Sequence, residues 1–156
     1  MNATVITWLI FLGIIVLILL VNVRAFFHWL GGSWYEKKDA DSPRQEIKLM
    51  QLGPIVWGHA KVKGGTLNYR GWFNGKVLKM KRRDYGQAYL AGLGFPQEVL
   101  MELEGSEMAR LEFEYDPVKR QLVGAHYPQK IDISHTRPPK VIGRVYLSPQ
   151  KRTWKR

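Results

Sequence analysis

The 156 residues contain no cysteine, which excludes disulfides, lipoprotein processing and thiolate zinc sites. The histidines, His28, His59, His126 and His135, form neither H-x-H nor H-E-x-x-H, so no metal is expected. His126 and His135 flank a hairpin and could approach each other, although a surface or core role fits each better. G-x-S-x-G, Walker A and G-x-G-x-x-G are all missing. The GLG at 92–94 lacks the remaining glycine of a nucleotide-binding loop and reads as chain punctuation. The seven acids within 98–116 read as a solvated face rather than a general acid–base pair. Taken together, these absences predict no enzyme and no cofactor.

Charge is also missing from the N-terminal stretch, where no charged side chain precedes Arg24. The run TVITWLIFLGIIVLILLVNV (4–23) has the ~20 apolar residues that carry a helix across the ~30 Å hydrocarbon layer. It lacks the basic n-region and cleavage pattern of a signal peptide. A transmembrane anchor over 1–24 is therefore expected. Arg24, Lys37, Lys38, Arg44 and Lys48 follow the span, and Lys and Arg near a span's end stay on the cytoplasmic side. The expected localisation is an inner or plasma membrane, single-pass, with the N-terminus outside and the following domain cytoplasmic. Trp8 near one end, and Phe26, Phe27, Trp29, Trp34 and Tyr35 past the other, read as an aromatic membrane interface.

Residues 25–45 then read as an interfacial collar and linker, the polar stretch 36–46 with Pro43 being the short linker. From Ile47 onward the sequence alternates with period two. Strands are expected at 46–52, 55–63, 66–73 and 76–83, with turns at Gly64-Gly65 and Asn74-Gly75. The stretch 55–83 reads as an antiparallel meander. Pro96 is placed to open a short helix closed by Gly105, with a strand over 98–103 as the alternative, after which strands resume at 108–115, 120–127, 130–135 and 141–147. The expected fold is one N-terminal transmembrane α-helix followed by a mainly antiparallel β domain over 46–147. That domain is a β-sandwich or small barrel of about eight short strands with at most one short helix. The basic tail, 148–156, is expected to be disordered without a partner.

Charge is segregated along this domain. Net charge is +11. Residues 61–83 carry Lys61, Lys63, Arg70, Lys76, Lys79, Lys81, Arg82 and Arg83 without one acid, whereas 98–116 set seven acids against Arg110. If both meander turns are two-residue loops, Arg70 lies between His59 and Lys79, and Trp72 between Trp57 and Val77. The candidate anion- and partner-binding residues are Lys61, Lys63, Arg70, Lys79, Lys81, Trp57 and Trp72. Like charges across strands repel, so something should neutralise this face. Internal cover by the outward Glu112 and Glu114 strand or by the 98–107 segment, an anionic lipid surface and nucleic acid are the candidates. Nucleic acid ranks last, because no known recognition motif is present. The chain reads as an accessory subunit docking on a larger integral membrane protein complex through its helix and β domain. The alternative is a membrane-tethered module binding anionic lipid headgroups or nucleic acid through the basic β face.

Overall fold

The computed structural model describes residues 2–36 and 44–156. The expected linker therefore falls largely outside the described residues. The N-terminal helix α1 runs Ala3–Phe27, and its described side chains, 4–17 and 23, are all exposed. Among the described residues no helix is long and apolar enough to cross a membrane. The transmembrane anchor, the single-pass topology and the localisation built on them are corrected accordingly.

The β domain is a closed antiparallel barrel. Its strands are β1 (Gly32–Glu36), β2 (Gln45–Leu52), β3 (Ile55–Val62), β4 (Gly65–Phe73), β5 (Val77–Tyr85), β6 (Glu107–Asp116), β7 (Gln121–Ile133), β8 (Val141–Tyr146) and β9 (Gln150–Lys155). The ring runs β1-β2-β3-β4-β5-β6-β7-β9 and returns to β1, which gives eight staves without a free edge. Strand β8 stands outside the ring and pairs with the far half of β7, Gln129–Ile133. The sandwich alternative is thereby excluded. So is the limit of one short helix: α2 (Gln87–Gly92) precedes a 3-10 turn at Gln97–Val99 and α3 (Leu100–Leu103).

The meander is found at 55–83, but both of its registers differ from expectation by two residues. Val62 pairs with Gly65, so the first loop is Lys63-Gly64, with φ +80° at Gly64. The second loop is Gly75-Lys76, closed by the Asn74 amide donating to the Val77 carbonyl at 3.2 Å. The Asn74 Oδ1 also accepts from the Lys76 and Val77 amides. Sliding a turn by one residue moves the register by two, so every side chain keeps its face.

Eight strands enclose a lumen wide enough for side chains to fill, and here they fill it. Trp34, Phe73, Phe113, Trp154, Ile47 and Leu78 are each at most 1 % exposed. Strand coiling brings neighbouring backbones close at inward positions without side chains. A Cβ built on Gly58, Gly71 or Gly124 would fall on the carbonyl oxygen of Lys48, Lys79 or Glu112 respectively. Such glycines are the bends that allow a sheet to close. A second apolar cluster, Leu90, Val99, Leu100, Leu103 and Met108, joins the helical insert to Ile131, Ile133 and Val141 of the β7–β8 arm.

Candidate partner-binding face

Outward residues of β3–β7 align in rows across the strands. One row runs Trp57, Arg70, Lys81, Arg110, Tyr127, and the next Ile55, Trp72, Lys79, Glu112, Ala125. Arg70 therefore stands between Trp57 and Lys81, not His59 and Lys79, and Trp72 between Ile55 and Lys79. The main groove, about 720 Å³, lies between these two rows. Its floor is the sheet at Gly71, Met80 and Leu111, and Tyr146 from β8 borders it. A smaller groove of about 450 Å³ lies on the other side of Arg70 and Lys81, bordered by Trp57, Asn68 and Arg83.

Charge on this face is partly settled within the chain. β6 sets Glu114 against Lys76 at 3.0 Å, Glu112 against Lys79 at 3.1 Å and Glu107 against Lys81 at 2.8 Å. The neutralising acids are thus those of the outward Glu112 and Glu114 strand, joined by Glu107, through ion pairs on the same surface. Pairs this exposed contribute between ~0 and 1 kcal/mol each. Glu107 is the most shielded of the three acids. It also accepts from Arg110 Nε at 2.8 Å and from the Tyr146 hydroxyl, while Arg110 stacks over the Tyr146 ring at 4.4 Å. Burial opposes ionisation of Glu107, but the hydrogen bonds from Lys81, Tyr146 and Arg110 outweigh it and hold its carboxyl down at about 2. Burial and the Glu107 bond push the Tyr146 hydroxyl up.

Arg82 leaves the basic face altogether. It points inward and forms a two-pronged pair with Asp84, at 2.9 and 3.0 Å, and its Nη1 meets His126 Nε2 at 3.3 Å. Asp84 is fully buried. Burial raises its pKa and the neighbouring guanidinium resists that rise. Beside this cluster, burial pushes the Tyr69 hydroxyl up as well. The buried Asp84 is thereby paired, as buried ions require.

The expected site residues thus divide. Arg70, Lys79, Lys81 and Trp72 border the main groove, and Trp57 the smaller one. Lys61 is exposed nearer the first turn and Lys63 lies in it, outside both grooves. Among the described residues Lys61, Lys63, Arg70 and Arg83 make no ion pair. Sequence reasoning missed Glu107, Arg110, Tyr127 and Tyr146. Arg110 was visible as the lone base among acids; the others depend on how β7 and β8 return.

The aromatic interface is corrected with the anchor. Trp34 lies in the barrel core, 0 % exposed, where its Nε1 donates to the Leu30 carbonyl at 2.7 Å. Trp8, Trp29 and Tyr35 are exposed, whereas the side chains of Phe26 and Phe27 lie outside the described residues. His126 is buried in β7 and His135 is exposed beyond its end. Among the described residues no three side chains of metal-binding type gather. No protein family, curated protein or solved structure matches the chain.

Proposed function

We propose that the chain is a non-catalytic accessory subunit, docking on a larger protein complex through α1 and the outer face of the barrel. The observation that carries this reading is the uncovered helix. Trp8, Leu9, Ile10, Phe11, Leu12 and Leu17 are each more than half exposed. A helix apolar all round is a buried helix in its working state, and contiguous apolar surface of this kind marks an interaction site. The barrel fits the same role, because its lumen is filled and its accessible features are on the outside. Binding of a polyanion to the basic face is the second reading. It is favoured by the cations that lack a carboxylate and weakened by Glu107, Glu112 and Glu114 beside them.

The test is purification of the full chain with its partners, before and after a high-salt wash, followed by mass spectrometry and stoichiometry. A partner held by apolar helix packing stays at fixed ratio in high salt, and a Leu9→Arg, Leu12→Arg double variant loses it. A polyanion released by salt, with no stoichiometric protein, would refute the accessory reading.

A further inference from the structure

We propose that the main groove receives a short acidic peptide segment of the partner, in extended conformation and carrying one bulky apolar side chain. The inference deepens the docking reading and concerns a surface separate from α1. The groove crosses the strands from β4 to β7, three inter-strand spacings, so it is about 14 Å long. Extended chain rises ~3.3 Å per residue, so roughly four residues fit along it. Its borders combine the side chains that dominate protein interfaces, Trp, Tyr and Arg. Trp72 is 48 % exposed at one end, and Tyr127 and Tyr146 stand at the other.

Charge selects the occupant. Arg70 faces the groove with no carboxylate of its own among the described residues, and it adjoins Lys81 across the strand pair. Lys81 and Arg110, themselves directly opposed, share the single carboxylate of Glu107. One wall is therefore short of negative charge. The other carries Glu112 beside Lys79. A nucleic acid strand, with a phosphate at every nucleotide, would bring several charges toward Glu112. A peptide can place one or two carboxylates on Arg70 and Lys81 and leave an apolar residue over the Gly71–Leu111 floor against Trp72. The mixed walls thus favour an acidic peptide over a polyphosphate.

The experiment is a fluorescence-anisotropy titration of the full chain with three labelled probes. One is an acidic pentapeptide with a central tryptophan, the second its counterpart with lysine for each acid, and the third an oligothymidine of similar length. The acidic peptide is expected to bind and the other two not. Arg70→Glu and Trp72→Ala should each weaken it at least about tenfold, the scale of a central interface residue. Both side chains are exposed, and an unchanged thermal transition will verify folding; Arg70→Gln and Trp72→Phe, expected to weaken binding less, serve if it shifts. Equal binding by both variants, or binding of the oligothymidine and not the peptide, would overturn the proposal. The Leu9→Arg, Leu12→Arg variant separates this from the docking reading: it should lose the stoichiometric partner yet still bind the peptide.

Discussion

Replacement of Trp154 by alanine is the sharpest probe of how the barrel closes. Trp154 belongs to β9 and is 1 % exposed. Its ring lies 4.6 Å from that of Phe113 and 5.5 Å, edge to face, from that of Tyr69. Strand β9 pairs with β7 from Gln121 to His126 and with β1 at Tyr35 and Glu36. Removing the indole both takes apolar surface out of the core and leaves a cavity that two paired strands cannot collapse to fill. Large-to-small changes of this kind cost ~3–5 kcal/mol, a large share of the ~5–15 kcal/mol available to a domain. Urea unfolding followed by far-UV circular dichroism reads the loss directly, with Trp72→Ala as the control. Trp72 is about half exposed, so its removal should cost well below the ~3–5 kcal/mol of a fully buried aromatic. A Trp154→Ala protein as stable as the control would mean that the C-terminal residues do not sit in the barrel wall, and the closed ring would have to be abandoned.

Two further outcomes follow from the same geometry. Glu107 has its folded pKa lowered from 4.5 to about 2, so its contribution to stability is present above 4.5 and is lost as pH falls through that window toward 2. Acid unfolding of Glu107→Gln should accordingly show a shallower slope there than the parent chain, and an identical slope would refute the assignment. Gly71→Ala places a methyl on the Lys79 carbonyl and should lower stability by about 3 kcal/mol, at the upper end of overpacking. An unshifted thermal midpoint would show that β4 is not tightly coiled at that point.

The meander was legible because two turn signals and strict alternation coincide at 55–83. Its register was not, because neither Gly64-Gly65 nor Asn74-Gly75 says by itself which two residues form the loop. Gly64 takes the second loop position and Gly75 the first, and the choice at the latter is made by the Asn74 side chain capping two amides. The two strands that complete the ring, β1 and β9, were hidden for a common reason. Each is short and offers a single fully buried apolar side chain, Trp34 or Trp154, while its other positions are polar or small. Hydrogen bonds to strands on both sides hold such segments in place, so they need little alternation of their own. The aromatics past the helix read as a rim for the same reason, since nothing local says that Trp34 turns inward. The helix α2 has no side-chain cap and a Gly-rich sequence, and it is held by packing through Leu90.

The segregation of charge along the sequence has a direct structural counterpart. Basic β5 and acidic β6 are successive strands of the ring, and their register sets Lys79 against Glu112 and Val77 against Glu114. The match breaks at one row, where Lys81 opposes Arg110. Like charges directly across a strand pair destabilise it, and Glu107 offsets this by reaching both cations, with the Tyr146 ring over Arg110 lowering the repulsion further. Extending the same row to β4 adds Arg70 and no further acid. Three cations then line a single wall that holds one carboxylate, paired with Lys81 and Arg110 only, next to an exposed tryptophan. At Lys76 and Lys79 the acids of β6 settle the charge internally; along this row the pairing leaves a net positive wall that a carboxylate brought from outside can meet.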